Sequence, residues 1–371
     1  MVVPGGVGAD GVHDVIPALL SLVERLARHN VVLVVATEQV GAPVASYELR
    51  GARVVCLGRK RRGPLGRVRL AWSMLAELRR FRPDVIHALW LGPGSTLSIV
   101  AGRILGVPVV GTIGGGETVA IRRIGYGGAR TWRGRQHVSI MLRLGSAVTA
   151  GSRYALTPIL PRRPDARWLP LGAERTANSV ASDDAAPTTT RLLVVASVNR
   201  VKGPEVVLGA IAKVHGHGAP DIHLDWVGED TLAGASTALA RSLGLADIVS
   251  FRGFEPHTMV LARIAAADLL VQGSHHEGQG VAVLEAAMGG LPTVGTAVGL
   301  VVELAAADPP AAIAVPAGDA SALADAIVEL TADPPRRAAL GAAARAWAAM
   351  HDADWTAAAF EAIYAEVTGR R

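Results

Sequence analysis

Cysteine and aromatic residues are scarce in this chain. Cys56 is its only cysteine, and Phe, Trp and Tyr together make up 4% of its 371 residues. A single thiol excludes an internal disulfide and a metal site built from cysteine pairs. Half of the residues are nevertheless hydrophobic, and Ala, Gly and Val dominate. This composition favours parallel strands that alternate with helices, and the length allows two domains.

Long apolar runs are missing as well. No uninterrupted stretch reaches the ~18 residues of a membrane span. The most apolar part, residues 281–302, is interrupted by Glu285, Gly289, Gly290 and Pro292. The first ten residues, MVVPGGVGAD, lack the basic and then apolar order of a secretory signal peptide. A cytoplasmic protein is therefore expected.

The net charge of +5 hides an uneven distribution of charge. Residues 1–190 hold 25 Lys and Arg against 12 Asp and Glu, whereas the remainder holds 12 against 20. The densest basic cluster consists of Arg59, Lys60, Arg61, Arg62, Arg67 and Arg69. Peripheral contact with an anionic inner membrane face, a phosphorylated acceptor and a merely solvated basic loop all fit this pattern. A nucleic-acid partner is not expected, because the cluster lacks interleaved aromatic residues.

Strand and helix signals alternate twice along the chain. The first series covers residues 1–175, a polar linker covers 176–190, and the second series covers 191–351. A last amphipathic helix lies within 352–371, and we expect it to pack back on the first domain. The pattern predicts an α/β protein with two Rossmann-like, doubly wound parallel sheets that face each other across a cleft.

Two carboxylates, Glu277 and Glu285, stand eight positions apart around a glycine turn. A helix that begins near Gly280 would leave Glu277 on the preceding loop and place Glu285 about a turn and a half inside. One carboxylate could then meet the reacting end of a ligand and the other its distal part, while bare backbone amides face an anionic middle. That arrangement suits a sugar nucleotide. The alternative is an ordinary loop acid followed by a helix acid.

Seven short segments follow one another along the chain: Gly5-Gly6-Val7, PDVIHAL at Pro83–Leu89, AVTAGS at Ala147–Ser152, LPLGAE at Leu169–Glu174, NRVKG at Asn199–Gly203, IVSFRGF at Ile248–Phe254, and Ser274–Glu303 with its paired glutamates. Taken in order, they resemble the family-4 (group 1) retaining glycosyltransferases of the GT-B fold. Each is weak alone, but together they cover nearly the whole chain. The resemblance implies a nucleotide-diphosphate sugar donor, with UDP or GDP the most expected, and neither a metal ion nor a cofactor. It leaves open whether the hydroxyl acceptor is lipid-linked, a saccharide or a natural product.

The resemblance also implies roles for particular residues. Lys202 and Arg200 would neutralise the leaving diphosphate, and Glu277 would bind the hydroxyls of the transferred sugar. Glu285 would hold the ribose. The other residues expected to contact the donor are Gly5, Gly6, Gly253, Phe254, Gly278, Gln279 and Gly280.

The chain departs from the family pattern at three positions. Ser197 stands where the phosphate-binding element carries an arginine, Gly114 stands where a histidine is common, and Gln279 replaces an aromatic residue. His13, His87 and Glu117 are candidates to take over the missing histidine's part in handling the acceptor. We predict catalytic roles for His87 and Glu117. The neighbouring His275 and His276 do not favour a metal site, because adjacent side chains on an extended segment point to opposite sides.

Two other functions are compatible with this sequence. One is a nucleotide-sugar epimerase or hydrolase of the same architecture. The other is a catalytically silent GT-B subunit that binds a nucleotide sugar. The departures at Ser197 and Gly114 favour a silent subunit, whereas Glu277, Glu285 and Lys202 favour an enzyme.

Overall fold

The computed structural model describes residues 1–39, 45–57, 64–174, 189–216 and 221–370. It divides the chain into two compact units: the N unit, Met1–Gly172 with Ala353–Arg371, and the C unit, Ala173–Asp352. Residues 59–62 of the basic cluster and residues 175–188, which include most of the expected linker, lie outside the described residues.

The N unit is built on an eight-stranded sheet with the order β3-β4-β2-β1-β5-β6-β7-β8. Its strands are β1 (Val2–Val3), β2 (Leu33–Ala36), β3 (Ala45–Leu49), β4 (Ala52–Cys56), β5 (Ile86–Leu89), β6 (Val109–Ile113), β7 (Ala147–Ala150) and β8 (Arg167–Trp168). All described pairings are parallel except that of β3 with β4, which is antiparallel. The prediction of a purely parallel sheet missed β3, whose alternating burial is typical of a half-exposed edge strand.

Helices cover both faces of this sheet. They are α1 (Pro17–Ala27), α2 (Pro64–Phe81), α3 (Pro93–Leu105), α4 (Trp132–Leu144), the short α5 (Arg153–Leu156) and the carboxyl-terminal α13 (Ala353–Thr368). The connections through α2, α3 and α4 run in one direction along the sheet, and the connection through α1 runs in the other. Because such crossovers are right-handed, α2–α4 lie on one face and α1 on the opposite face. Helix α13 packs against α1.

The C unit has a six-stranded sheet with the order β11-β10-β9-β12-β13-β14. Its strands are β9 (Thr190–Val195), β10 (Ile222–Val227), β11 (Val249–Gly253), β12 (Leu269–Gln272), β13 (Thr293–Thr296) and β14 (Ala312–Val315). Its helices are α6 (Pro204–Gly216), α7 (Ala235–Ser242), α8 (His257–Ala266), α9 (Val281–Gly289), α10 (Leu300–Ala305), α11 (Ala320–Ala332) and α12 (Pro334–Ala349). Every pairing between the described strands is parallel. The strand order reverses direction between β9 and β12.

Two apolar layers fill the C unit, one on each face of the sheet. Residues of α6 and α11 form the core on one face, and residues of α8, α9 and α12 form the core on the other. Trp226 is fully buried in the first layer, and its indole N–H donates to the carbonyl of Ala196 at 2.8 Å. The C-unit sheet is therefore packed on both faces by apolar side chains, which hold its strand ends in place.

Within the described ranges, no helix combines the length and the apolar character that crossing a membrane requires.

Candidate active site

The predicted donor residues around Lys202 and Glu277 lie where the strand order of the C unit reverses. β9 and β12 are neighbours, and the chain leaves them towards opposite sides of the sheet. Open α/β sheets bind ligands at the carboxyl ends of strands at such a reversal. β9 is followed by a 3₁₀ turn at Arg200–Lys202 and then α6, and β12 is followed by a loop and then α9.

The 3₁₀ turn is fixed by its own cap and by the neighbouring loop. The Asn199 side-chain oxygen accepts from the backbone amides of Val201 at 3.1 Å and Lys202 at 3.2 Å. Gly203 has a φ of +62°, and a Cβ there would lie 2.2 Å from the carbonyl oxygen of Gly273. The His275 amide donates to the Val201 carbonyl at 2.8 Å. The turn and the loop after β12 are therefore held against each other.

This contact brings Lys202 to Glu277. The Lys202 Nζ lies 2.7 Å from Oε1 of Glu277, and the Ser274 hydroxyl donates to the same oxygen at 2.7 Å. The carbonyl of Ser274 accepts from the Thr296 hydroxyl on β13 at 2.6 Å. The two charged side chains keep 26% and 11% of their surface exposed, so a ligand could reach both. A cation and a carboxylate are thus positioned at one strand end.

Glycines shape the start of α9. Gly280 caps the helix with a φ of +89°, so α9 begins where the glutamate spacing predicts. Gly299 has a φ of +56°, and a Cβ there would lie 2.4 Å from the carbonyl oxygen of Gln279 and 2.8 Å from the Cβ of Glu277. The Leu300 amide donates to the same Gln279 carbonyl at 2.7 Å. The turn that carries Glu277 is therefore built against a second glycine, and α9 directs its amino-terminal end to this side of the sheet.

Glu285 has a partner that the sequence analysis missed. Its carboxylate is buried and lies 2.8 Å from Nε2 of His257, the first residue of α8. The hydrogen bond to Glu285 raises the pKa of His257. A carboxylate in an apolar helix requires such a partner. The two residues are 28 positions apart in the chain, so no local pattern pairs them. The only hint in the sequence is that His257 comes just after the predicted Gly253–Phe254 loop.

The remaining predicted donor residues of the C unit differ in exposure. Gly253 ends β11 with a φ of +72°, and Phe254 beside it is 51% exposed. Arg200 is exposed on the 3₁₀ turn, whereas Gly278 and Gln279 are buried. The structure thus brings Lys202 and Glu277 into direct contact and leaves the roles of the others as predictions.

Gly5 and Gly6 form a tight loop in the N unit. Gly6 has a φ of +83°, and a Cβ there would lie 2.7 Å from the Ile16 side chain. The Ile16 amide donates to the Gly6 carbonyl at 3.0 Å, and the Val7 amide donates to Oε1 of Gln39 at 3.2 Å. The local packing explains Gly6, and the predicted contact of both glycines with the donor stays a prediction.

His87 lies inside the N unit, and its position does not support the predicted catalytic role. Its Nδ1 lies 2.6 Å from the Tyr364 hydroxyl and its Nε2 lies 2.7 Å from the Thr112 hydroxyl. The side chain is 2% exposed, and burial lowers its pKa to about 3. Side chains alternate along a strand, so Ile86 and Ala88 join the core beneath α2–α4 while His87 faces α13.

Glu117 holds the glycine loop that follows β6. Its carboxylate accepts from the backbone amides of Leu91 at 3.1 Å, Gly114 at 3.1 Å and Gly115 at 2.7 Å. These bonds join the carboxyl ends of β5 and β6. The acid therefore organises the loop in which a family histidine is absent, and its direct contact with an acceptor remains a prediction. His13 is exposed and pairs with Asp10 at 2.6 Å.

A cavity of about 880 Å³ lies in the N unit, apart from the contact between Lys202 and Glu277. It is lined by residues at the amino ends of the strands, among them Met1, Leu33 and Ile86.

In the part of the chain that the structure describes, no three His, Cys, Asp or Glu side chains are grouped as metal ligands would be. His275 is directed to Glu205, with Nε2 2.6 Å from its carboxylate.

Solved structures with this architecture identify the fold. Sucrose-phosphate synthase from Thermosynechococcus elongatus has 21% sequence identity and a TM-score of 0.74, over 94% of this chain and 92% of that chain. HepE from Anabaena, solved with UDP and glucose, has 17% identity and a TM-score of 0.72, over 94% and 95%. WaaG, described as a glycosyltransferase of lipopolysaccharide biosynthesis, has 18% identity and a TM-score of 0.67, over 95% of each chain. The fold is GT-B, as the sequence predicts.

Family models identify the class of protein. The model described as Glycosyltransferase Family 4 matches residues 18–162, and the model described as Glycosyl transferases group 1 matches residues 178–347. The two matches together span most of the chain. The chain belongs to the family-4, group 1 glycosyltransferases.

Curated relatives match parts of the chain. A D-inositol 3-phosphate glycosyltransferase from Corynebacterium aurimucosum is 35% identical over 184 residues, which are 47% of this chain and 43% of the relative. A 2-deoxystreptamine N-acetyl-D-glucosaminyltransferase from Streptomyces fradiae is 36% identical over 129 residues, which are 35% and 30%. The matched region spans less than half the length of these relatives.

Proposed function

We propose that the protein transfers a hexose-type sugar from a nucleotide-diphosphate donor to a hydroxyl acceptor, without a metal ion and with retention of the anomeric configuration. The observation that carries this proposal is the Lys202–Glu277–Ser274 group at the reversal of the C-unit sheet, with both distances at 2.7 Å. Membership of the family supports the reaction class.

The proposed mechanism assigns charge stabilisation to the protein and proton transfer to the substrates. The bond between the anomeric carbon and the phosphate oxygen breaks, the acceptor oxygen bonds to that carbon, and the acceptor proton passes to the leaving phosphate. Negative charge grows on the diphosphate, so Lys202 stabilises the transition state more than the ground state. Glu277 then accepts from sugar hydroxyls, and Glu285, held by His257, accepts from the ribose hydroxyls.

The donor nucleotide is proposed to be UDP or GDP. One structural neighbour was solved with UDP and with UDP-glucose, which makes UDP the first nucleotide to test. The acceptors named for two relatives, an inositol phosphate and 2-deoxystreptamine, are polyhydroxylated ring compounds. They favour a saccharide-like or natural-product acceptor. The basic N unit is also compatible with a lipid-linked acceptor at an anionic membrane face.

The proposal is tested first with nucleotides and then with donors. UDP, GDP, ADP and TDP are titrated by calorimetry with and without EDTA. Nucleotide-diphosphate sugars that contain the tightest-binding nucleotide are then supplied as donors, with water, an inositol phosphate or 2-deoxystreptamine as the acceptor. The release of nucleotide and the anomeric configuration of the product are measured. Glu277→Gln and Lys202→Met should each slow nucleotide release by about 10²- to 10³-fold, the usual effect of losing one preorganised charge contact.

Lys213→Met is the matched control, because Lys213 binds the Ser321 hydroxyl at 2.6 Å between α6 and α11, and its activity should equal that of the wild type. A wild type that binds UDP but turns over no donor would make the protein a nucleotide-sugar-binding subunit. Donor breakdown that no acceptor accelerates would favour a hydrolase or epimerase. Dependence on a divalent ion or inversion at the anomeric carbon would overturn those parts of the proposal.

A further inference from the structure

Helices α2, α3 and α4 form one layer on the N-unit sheet. Residues from all three helices, such as Met74, Ile99 and Met141, join a single core cluster with the strands beneath. Helix α3 packs against both α2 and α4, and the Thr96 hydroxyl on α3 lies 2.8 Å from Nδ1 of His137 on α4. The solvent-facing sides of these helices therefore make one surface, which we call the outer face.

The outer face carries several large apolar side chains. Those exposed by half or more are Leu65 at 79%, Trp72 and Trp132 at 66%, Val68 at 53%, Ile104 at 52% and Val100 at 50%. On α2, Leu65, Val68 and Trp72 stand at spacings of three and four residues, which places them on one side of the helix. Isolated exposed apolar residues are ordinary on a protein surface, but six on three adjoining helices are the kind of surface at which interaction sites occur.

The same face is strongly basic. Across the three described helices there are eight arginines, all exposed: Arg67, Arg69, Arg79, Arg80, Arg103, Arg133, Arg135 and Arg143. Their single acidic residue, Glu77, is half-buried and bonded to Arg80 at 2.8 Å. The opposite layer has the reverse balance, since α1 and α13 hold Arg25 against Glu24, Asp354, Glu361 and Glu366.

We propose that the outer face docks the protein on the surface of an anionic phospholipid bilayer. Tryptophan and aliphatic side chains enter the interfacial region, and arginines between them pair with lipid phosphates. The charge difference between the two helix layers orients the N unit with the outer face towards the membrane. Protein interfaces also favour Trp and Arg, but eight exposed arginines against one glutamate would require a densely acidic partner, whereas an anionic bilayer supplies negative charge over its whole surface. Nucleic acid also fits less well, because exposed Leu and Val side chains have no counterpart on a phosphate backbone.

Membrane docking is independent of the proposed reaction and is tested without nucleotide. A negative result would therefore not change the interpretation of the Glu277→Gln assay. Full-length protein is sedimented with phosphatidylcholine vesicles that contain either no anionic lipid or about one third phosphatidylglycerol. The assay is repeated at about 0.1 M and about 0.5 M NaCl, because surface attraction is screened at high salt. The expected result is binding to the anionic vesicles alone, with affinity that falls at the higher salt.

Matched double variants separate the outer face from net charge. Arg69→Gln with Arg133→Gln removes two charges from the outer face and should weaken binding by about fivefold for each arginine. Arg241→Gln with Arg336→Gln removes two exposed charges from the C unit and should leave binding unchanged. Trp72→Ser should weaken binding by about tenfold through lost apolar burial. Circular dichroism confirms that each variant is folded.

Four results would overturn the proposal. These are no binding to anionic vesicles at low salt, equal binding to neutral vesicles, equal losses in the two double variants, and binding to a short DNA duplex as tight as to the vesicles. The last would reassign the outer face to nucleic acid.

Discussion

Two carboxylates near the strand ends of the C unit are stabilised in different ways. Glu277 is paired with a lysine and a serine hydroxyl and stays partly accessible. Glu285 is buried and relies on the imidazole of His257. An unpaired charge at either position would be costly to bury. Lys202 can exchange its contact with Glu277 for one with a ligand phosphate, whereas His257 fixes the orientation of the Glu285 carboxylate.

We therefore predict that His257 positions Glu285 for the nucleotide. His257→Leu leaves the carboxylate without its partner and should raise the KM for the donor about tenfold, with a smaller change in kcat. His257→Gln can still donate a hydrogen bond and should recover most of the affinity. Initial rates at varied donor concentration measure both parameters. A loss that is equal in the two variants would assign His257 to packing alone.

The same pair predicts a dependence of stability on pH. Glu285 raises the pKa of His257 above its ordinary value near 6.5. The protonated form is thus favoured by the fold, and its contribution is complete below pH ~6.5 and is lost as pH rises through the raised pKa. The free energy by which the wild type exceeds His257→Gln should be about 1 kcal/mol at acidic pH, since the pair is partly screened. It should shrink at alkaline pH, as measured by urea unfolding at several pH values. A difference that does not change with pH would contradict the prediction.

Two glycines of the C unit with positive φ differ in how tightly they are packed. Gly299 has a φ of +56°, and a Cβ would overlap the backbone of Gln279. Gly244 has a φ of +73°, but no heavy atom lies within 4 Å of its Cβ position. Gly299→Ala should cost about 2–4 kcal/mol, from backbone strain and overlap, and should also weaken donor binding. Gly244→Ala should cost about 1 kcal/mol and leave binding intact.

Chemical denaturation and nucleotide calorimetry measure the two effects. If Gly299→Ala bound nucleotide as the wild type does, the turn at Glu277 would not be set by Gly299.

The order of strands and helices was largely predictable from the sequence, whereas the contacts between side chains of different elements were not. The glycine turn placed the start of α9 correctly, because that signal is local. The pattern missed β3, a half-exposed strand of five residues. It also gave His87 a catalytic role, although the side chain faces α13, because one residue of register decides which face of a strand a side chain meets. His257 was missed because its partner is distant in sequence.

The N unit is assembled from two separate parts of the chain. Helix α13 returns from the C unit and packs against α1, with Phe360 fully buried and its ring 4.7 Å from that of His87. The Thr356 hydroxyl donates to the Pro170 carbonyl at 2.8 Å. The fold of this unit therefore depends on residues at the carboxyl end of the described chain.

We predict that stability and nucleotide binding can be separated through α13. Phe360→Ala removes a fully buried ring and should lower the unfolding free energy by about 3–5 kcal/mol. The UDP dissociation constant should not change, because Lys202, Glu277, Glu285 and His257 all lie in the C unit. Ile327→Ala is the comparison, because Ile327 is buried in the C-unit core and the substitution also removes apolar volume, but from the unit that carries these side chains.

Unfolding by denaturant and calorimetric titration of UDP below the unfolding transition provide the two readouts. If Phe360→Ala weakened UDP binding as strongly as it lowered stability, the N unit would contribute to nucleotide recognition. The predicted contacts of Gly5 and Gly6 with the donor would then be the first place to look for that contribution. If UDP binding were unchanged while stability fell, nucleotide binding would be independent of the packing beneath α13, as predicted.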